Sequence, residues 1–424
     1  MIKCIDREMI DDENEVMDML IQFAVENYMS LRDEMVLSMD AGAGSELREN
    51  LQEYQDGYLL PTAAIYGANA AGKSNIFKAM TAALRIIRES NDRQIDRPVP
   101  LIHPYAFDEE HRHLPSKFDF TFVINHVKYQ YGFSADSSKI YDEYLYKYSS
   151  KLPSLIFERT NTNDYKYTKS NESKLKQYEE KTAPNKLFLA TATNWNCELT
   201  KEAYLWFAKG IDTYNNASFN ITLDALEVFA HGGNSLQSFI TSLLKTADIN
   251  ITGYSIDSQT KNLPEGLLKA YALRTNHIVT HDDMTCEYTL PFDAESEGTK
   301  RIFIFGPIIK DALENGRTIV VDEIENSLHP LFLEYLIQLF NSRETNPNKA
   351  QLIFNTHSVE TLSLDLLRRD QIYFVEKNHE NGVTELYSLD EFSPRKTENV
   401  RKGYLQGRYG AIPNIGLEDL AWQR

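Results

Sequence analysis

The sequence predicts an α/β fold that combines a mixed sheet, an antiparallel subdomain and a compact helical insertion. A short apolar strand, "TAAIY", leads through a glycine-containing turn into "NIFKAMTAALRIIRES", whose apolar residues recur at helical spacing. The segment "KFDFTFVINHVKYQYGFSAD" alternates apolar and polar residues around a polar turn, which indicates antiparallel strands. An alternating helix and strand pattern then occupies the C-terminal part of the chain, as expected for helices packed on a sheet.

These patterns divide the chain into four predicted segments. Residues 1–18 are acidic and lack an apolar core, which predicts a flexible N-terminal extension. Residues 19–168 predict a first lobe with antiparallel strands, and residues 169–250 predict the helical insertion. Residues 251–424 predict a second lobe that completes the sheet. No heptad pattern is sustained over several turns, so a long coiled-coil arm is excluded.

Composition narrows the class of protein. The net charge of −18 argues against a surface broadly lined with phosphate-binding residues, so any nucleic-acid contact needs a local patch or a partner. Cys4, Cys197 and Cys286 are scattered without metal-ligand spacing, which predicts a cytoplasmic, disulfide-free protein. No apolar run approaches the ~18 residues of a membrane span, so no membrane association is expected.

The turn after "TAAIY" fits the phosphate-binding template G-x-x-x-x-G-K-[ST] at every fixed position. Small residues let backbone N–H groups face a phosphate, and the following helix directs its positive end at the anion. The strand before the turn and the helix after it disfavour a fit by chance. We therefore predict that a nucleotide is bound by the residues of this turn, which are Gly67, Ala68, Asn69, Ala70, Ala71, Gly72, Lys73, Ser74 and Asn75. Lys73 is expected to contact the β- and γ-phosphates and Ser74 to bind Mg²⁺.

Two acids follow a second apolar strand at residues 319–321. In sheets of this kind ligands bind beyond the carboxyl ends of the strands, so Asp322 and Glu323 are well placed for a Mg²⁺–nucleotide complex. Asp322 is predicted to organise the ligands of the metal, and Glu323 to accept a proton from the attacking water. The alternative is an ordinary acidic turn after a core strand. The phosphate-binding turn earlier in the chain favours the functional interpretation.

Two further motifs are weak alone and informative by position. The strand "QLIFNTHS" ends at His357, which is predicted to donate a hydrogen bond to the γ-phosphate, although a lone His is more often structural. In "ESEGTKRIFIFGPII", Ser296 and Gly298 precede an apolar helix and predict a second anion-binding helix start. A plain N-cap is the alternative for this segment. Its place just before the acidic strand favours the functional interpretation.

Along the chain the order is the phosphate-binding turn, the helix start at Ser296 and Gly298, the acidic strand and the strand that ends at His357. These four elements in this chain order resemble the ABC-type ATPase heads of SMC and RecF-like proteins. The resemblance narrows to the stand-alone AAA/ABC-like ATPases of bacterial abortive-infection systems, of the RloA and AbiL type, and covers roughly residues 19–416. The segments that carry it are "ENYMSLRDEMVLSM", "AAIYGANAAGKSNIFKAM", "ESEGTKR", "VVDEIENSLHP", "QLIFNTHS" and "GRYGAIPNIG". Two departures stand out: "HPYAF" occupies the place of the Q-loop glutamine, and "SEGTK" replaces a signature with a Gly-Gly pair.

The resemblance implies a Mg²⁺-dependent ATPase with an ABC-type fold, in which two heads enclose two ATP molecules. Glu323 and His357 would be catalytic, and Ser74 and Asp322 would bind the metal. The signature residues, which would face the ATP of the partner copy, are Ser296, Gly298 and Thr299. A homodimer or higher homo-oligomer is implied, together with a separately encoded effector, a nuclease or toxin, in anti-phage defence.

Other functions stay open beside this one. A DNA repair or recombination ATPase would act directly on DNA, but the acidic balance and the missing coiled coil count against it. The C-terminal stretch is locally basic, which predicts either a solvated face or a docking or nucleic-acid surface. Its cations are Arg395, Lys396, Arg401, Lys402 and Arg408.

Overall fold

The computed structural model describes residues 19–54, 57–215, 218, 223–247, 250–263, 266–281 and 284–413, so the predicted N-terminal extension (residues 1–18) lies outside the described residues. The strands, in chain order, are β1 (Leu20–Glu26), β2 (Met35–Ser38), β3 (Gln52–Tyr54), β4 (Gly57–Leu59), β5 (Thr62–Gly67), β6 (Ser116–Ile124), β7 (Val127–Ala135), β8 (Ile140–Tyr148), β9 (Ser154–Thr160), β10 (Asp164–Tyr167), β11 (Ile211–Tyr214), β12 (Ile251–Leu263), β13 (Gly266–His281), β14 (Met284–Pro291), β15 (Thr318–Val321), β16 (Gln351–Asn355), β17 (Ile372–Lys377) and β18 (Thr384–Ser388). The α-helices are α1 (Lys73–Arg88), α2 (Lys169–Leu175), α3 (Phe188–Asn194), α4 (Glu198–Leu205), α5 (Leu223–His231), α6 (Gly233–Thr246), α7 (Glu297–Asn315), α8 (Pro330–Asn341) and α9 (Val400–Leu405).

The central sheet has the strand order β11-β15-β16-β5-β17-β18. Its pairs are parallel except for β17 with β18, which makes the sheet mixed, as predicted. Every residue of β5, β15 and β16 is buried. Parallel strands covered on both faces need continuous apolar sequence, which explains why these three strands are the apolar runs recognised from the sequence.

The antiparallel subdomain is a seven-stranded sheet with the order β10-β9-β8-β7-β6-β1-β2. This sheet confirms the prediction of antiparallel strands from the alternating sequence around residues 117–168. Its inner face carries aromatic side chains, and Phe122 stacks on Trp206 with 4.1 Å between ring centroids. Helix α1 contributes Ile76 and Met80 to the same core, so α1 packs beneath this sheet.

A second core lies on the opposite face of the central sheet. Ala63 and Ile65 of β5 belong to the first core, whereas Ala64 and Tyr66 belong to the second, because successive strand residues point to opposite faces. Side chains of α6, α7 and α8 fill the second core. The carboxyl end of β5, where α1 begins, is therefore supported from both faces of the sheet.

The segment predicted as a helical insertion is only partly helical. It contains α2 to α6, but Ile211–Tyr214 forms β11, which pairs in parallel with β15 at the edge of the central sheet. The prediction of helix for these residues is wrong because β11 depends on hydrogen bonds to a strand more than 100 residues away, which local periodicity does not reveal. Asp212 also pairs with Arg88 of α1 at 2.8 Å. The boundaries of the four predicted segments remain predictions.

Candidate nucleotide-binding site

The phosphate loop (residues 67–74) joins the end of β5 to the start of α1. Two of its residues have left-handed backbone conformations, Ala70 with φ 62° and Gly72 with φ 108°. A Cβ on Gly72 would also overlap Thr384 Oγ1, and one on Gly67 would lie 2.5 Å from the carbonyl oxygen of Val375. Local packing therefore requires both glycines of the motif, and the turn conformation additionally requires Gly72.

Two polar residues outside the motif hold the outer side of the loop. Thr384 donates from Oγ1 to the carbonyl of Ala71 at 2.9 Å and lies 2.7 Å from Ser30 Oγ. Asn75 donates from its side-chain amide to the same Ser30 hydroxyl at 2.7 Å. Asn75, predicted to bind nucleotide, thus ties the first turn of α1 to Ser30. Neither Ser30 nor Thr384 has a predicted role. Ser30 lies in the turn between β1 and β2 and Thr384 at the start of β18, and both are far from the phosphate loop in sequence.

Lys73 lies inside the loop, with a relative exposure of 5%. Its Nζ donates to the carbonyl of Gly67 at 2.7 Å and to that of Ala68 at 3.1 Å. The same Nζ lies 3.3 Å from Nδ1 of His357. The structure therefore brings together a cation and a histidine that are 284 residues apart in the chain.

The charge states of this pair follow from burial and from nearby acids. Burial lowers the pKa of Lys73 to about 8, and the carboxylates of Glu325, Glu323 and Asp322 oppose the shift. His357 is exposed at its edge, but partial desolvation of its ring lowers its pKa below the ordinary value, and the charge of Lys73 lowers it further. At neutral pH, His357 is consequently neutral and able to donate one hydrogen bond from its protonated ring nitrogen.

The acids predicted at the end of β15 face the phosphate loop. Oδ1 of Asp322 accepts hydrogen bonds from Ser74 Oγ at 3.0 Å and from Asn355 Nδ2 at 2.5 Å. The other end of the Asn355 amide accepts from the backbone N–H of Glu323 at 2.7 Å. Glu323 itself has φ 54°, a left-handed conformation that is strained for a residue with a side chain. Asn355 thus fixes both acids with one amide.

The acidic turn (residues 322–328) also contacts α7. Arg301, which is 7% exposed, donates from Nη2 to the carbonyl of Glu323 at 3.4 Å. Burial lowers the pKa of Arg301 to about 10, and the carboxylates of Glu325 and Glu323 oppose this shift. The Glu323 carboxylate accepts from Asn326 Nδ2 at 3.0 Å.

The three signature residues lie at the start of α7. Ser296 is the N-cap, and its Oγ accepts from the backbone N–H of Thr299 at 3.1 Å. A Cβ on Gly298 would lie 2.8 Å from the carbonyl of Ser327, so this glycine permits close packing of α7 on the acidic turn. The predicted anion-binding helix start is therefore also a capped helix end. Ser296 is exposed to solvent.

Asn355, Glu325 and Arg301 are site residues that have no predicted role. Asn355 follows the apolar residues 352–354 of the buried strand β16. A buried polar side chain needs hydrogen-bond partners, and this requirement is the sequence feature that could have indicated its role. Glu325 and Arg301 belong to motifs that were recognised, but their contacts with His357 and Glu323 depend on the tertiary structure.

An open cleft of about 490 Å³ adjoins the phosphate loop. It shares Ser30 and Asn75 with the loop surroundings, and the "HPYAF" segment, residues 103–107, forms another side. Phe107 is 69% exposed there. The segment that stands in place of the Q-loop glutamine is thus next to the candidate site.

The part of the chain that the structure describes contains no group of three or more His, Cys, Asp or Glu residues arranged to hold a metal ion. In the basic C-terminal stretch Arg408 pairs with Glu398 at 2.5 Å and Arg401 with Glu360 at 3.9 Å, while Lys402 is exposed. Among the described residues, no helix combines the length and apolarity that crossing a membrane requires.

Residues 63–363 match the protein family described as "AAA domain, putative AbiEii toxin, Type IV TA system". The chain belongs to this AAA-domain family. The matched range runs from β5 through the phosphate loop and the acidic turn to His357. Membership confirms the prediction of a nucleotide-binding domain of the ATPase type.

Two solved structures of SMC heads are similar to this chain along most of its length. An SMC head bound to the C-terminal winged-helix domain of ScpA is 11% identical, with a TM-score of 0.48 over 87% of this chain and 97% of that chain. An SMC head domain with an extended coiled coil, bound to the C-terminal domain of ScpA from Pyrococcus furiosus, is 13% identical, with a TM-score of 0.43 over 89% and 98%. No curated protein matches this chain.

Proposed function

We propose that this protein binds and hydrolyses ATP with Mg²⁺, and that ATP joins two copies into a dimer that regulates a separately encoded effector. The observation that carries the proposal is the convergence of five predicted residues at the ends of three neighbouring strands. These residues are Lys73, Ser74, Asp322, Glu323 and His357.

The phosphate loop fits a triphosphate in shape and charge. Gly67 and Gly72 allow the loop to turn tightly against Val375 and Thr384, and α1 directs its positive end at the loop. The ammonium of Lys73 already points at carbonyl oxygens of the loop, which an anionic phosphate would replace with stronger charge-assisted bonds. The adjoining cleft lined by Asn75 and Phe107 offers space for the nucleoside.

Ser74 Oγ and Asp322 Oδ1, 3.0 Å apart, are the oxygen ligands that suit Mg²⁺. This ion usually takes one or two protein ligands and completes its shell with phosphate and water, which agrees with so small a ligand set. When bound, Mg²⁺ would neutralise charge on the β- and γ-phosphate oxygens. Asn355 holds Asp322 in the orientation that this role requires.

Glu323 is the proposed proton acceptor. The oxygen of a water molecule would bond to the γ-phosphorus while the bond to the β,γ-bridging oxygen breaks, and the proton of the water would pass to Glu323. The products are ADP and inorganic phosphate. His357, neutral and 3.3 Å from Lys73 Nζ, would donate a hydrogen bond to a γ-phosphate oxygen.

The dimer is proposed from the exposure of Ser296, the first of the signature residues, whereas Thr299 is buried. Ser296 lies at the solvent-exposed N-terminal end of a 19-residue helix, where a partner's γ-phosphate would meet backbone N–H groups and a hydroxyl. The family's description names the AbiEii toxin and a type IV TA system, which supports a role in toxin-based defence. The resemblance of the motifs is the basis for proposing a separate nuclease or toxin effector in cytoplasmic anti-phage defence. Direct action on DNA is the alternative, and the exposed Lys402 is its supporting observation.

Glu323→Gln tests the proposal because it keeps the side-chain shape and removes the proton acceptor. We expect turnover to fall about 10²–10⁴-fold while ATP binding survives, so that an ATP-bound dimer accumulates. Light scattering after size exclusion, with and without ATP and Mg²⁺, measures the mass. Glu344→Gln, an exposed glutamate outside the site, is the control. A Glu323→Gln protein that stays monomeric at saturating ATP would contradict the dimer, and parental turnover would contradict the role of Glu323.

A further inference from the structure

We propose that Glu325 is a positioning residue of the nucleotide site and that it acts through His357. The inference rests on the proposed function, because it concerns the reaction at that site. Glu325 lies three residues after Asp322 and belongs to the acidic turn.

The decisive contact joins two segments that are distant in sequence. Oε1 of Glu325 accepts a hydrogen bond from the backbone N–H of His357 at 2.6 Å. The preceding residue, Thr356, is held from the other side, since its N–H donates to the carbonyl of Ile65 in β5 at 3.1 Å. The main chain at residues 356–357 is therefore hydrogen-bonded to β5 through Thr356 and to Glu325 through His357. Removing the Glu325 carboxylate would release one of these two anchors.

The second carboxylate oxygen of Glu325 lies in positively charged surroundings, which explains how the charged side chain is accommodated in this partly buried position. Oε2 of Glu325 is buried and has no hydrogen-bond partner among the residues that the structure describes. A buried carboxylate oxygen without a partner is costly unless positive charge lies nearby. Lys73 and Arg301 supply that charge: burial lowers both of their pKa values, and Glu325 opposes each shift more than any other acid does.

The same residue reaches the signature helix through the main chain. The carbonyl of Glu325 accepts from the N–H of Leu328 at 2.8 Å, which closes the acidic turn around Ser327. The carbonyl of Ser327 lies against Gly298 of α7. One residue thus connects the segment that carries His357 with the part of the turn that packs on the signature residues.

Two substitutions separate the hydrogen bond from the charge. Glu325→Gln keeps an oxygen acceptor for the His357 amide and removes the negative charge, whereas Glu325→Ala removes both. We expect Glu325→Ala to lower kcat about 10–10²-fold, the loss typical of a small misplacement of a reacting group. Glu325→Gln should keep kcat within about threefold of the parent, and it should bind ATP at least as tightly because one negative charge near the triphosphate is gone.

A double substitution tests whether Glu325 acts through His357. In a His357→Ala background there is no imidazole to position, so adding Glu325→Ala should lower kcat no further. Glu360→Ala is the control and should have the kcat of the parent. Glu360 is an exposed carboxylate three residues after His357, and it lies 3.9 Å from Arg401 in a weak ion pair. A full additional loss in the His357→Ala background would show that Glu325 acts by another route and would overturn the inference.

Hydrogen exchange provides a readout that does not depend on turnover. A peptide spanning residues 354–360 should exchange faster in Glu325→Ala than in the parent, Glu325→Gln and Glu360→Ala proteins, because only Glu325→Ala lacks an acceptor for the His357 amide. Unchanged exchange in Glu325→Ala would overturn the inference. If the parent protein fails to hydrolyse ATP, the proposed function fails, and the exchange measurement alone decides whether Glu325 anchors His357.

Discussion

Asn355→Ala is expected to disable the acids of the site while leaving the phosphate loop intact. Asn355 is fully buried and makes two hydrogen bonds at the acidic turn, one to the Asp322 carboxylate and one to the backbone N–H of Glu323. Without this amide, Glu323 loses the contact that supports its left-handed conformation at φ 54°. Glu323, the proposed proton acceptor, would then relax toward an ordinary backbone conformation and leave its position.

The structure allows the size of the effect to be estimated. A hydrogen bond to a charged group contributes about 1.5–3 kcal/mol and one between neutral groups about 1 kcal/mol, so the free energy of unfolding should fall by about 2–4 kcal/mol. A left-handed conformation of a residue with a side chain costs about 1–3 kcal/mol, which is available to drive the relaxation of Glu323. A misplacement of roughly 1 Å costs about 10²-fold in rate, and we expect a fall in kcat of that order.

Steady-state kinetics and isothermal titration with ATP and Mg²⁺ check this prediction, and thermal unfolding reports stability. Asn346→Ala is a matched control, because Asn346 is equally buried and makes three hydrogen bonds just before the opposite end of β16. Both variants should lose similar stability, but only Asn355→Ala should lose kcat, with ATP affinity changed by less than about fivefold. Equal kcat values in the two variants would refute the reasoning.

Two more substitutions address the remaining parts of the site. Lys73→Ala removes the cation of the phosphate loop and should abolish ATP binding in a titration. Lys78 is exposed on the same helix, so Lys78→Ala is the control and should bind ATP normally. An unchanged ATP affinity of Lys73→Ala would contradict the assignment of the loop. Ser296→Asp keeps a good N-cap for α7 and adds a negative charge at its exposed start, so ATP-induced dimerisation and turnover should be lost while one copy still binds ATP. Ser296→Asn, a neutral cap, should dimerise in light scattering, and dimerisation of Ser296→Asp would argue against a phosphate contact there. Ser296 is preferable to Gly298 for this test, because any side chain at Gly298 would press on the Ser327 carbonyl.

The parts of the fold that were predictable are those whose stabilisation is local. The strand before the phosphate loop and the helix after it are encoded by contiguous apolar spacing, and both occur where they were predicted. β11 was missed because four residues at a sheet edge are stabilised by β15 and by the ion pair of Asp212 with Arg88. The polar supports of the site were missed for the same reason, since the contact between Ser30, in the turn between β1 and β2, and Thr384 of β18 forms only when the two sheets come together.

The order of the strands explains why residues of β16 dominate the geometry of the site. Along the chain, the phosphate loop comes first, the acids second and His357 last, but in space β16 lies between β15 and β5. Because parallel strands end at the same edge, the residues that follow β16 must lie between the acids and the phosphate loop. Asn355 consequently reaches Asp322 and Glu323 on one side, and His357 reaches Lys73 on the other. A change at Asn355 should therefore act on the acids and a change at His357 on the phosphate loop, although both residues lie at the same strand end.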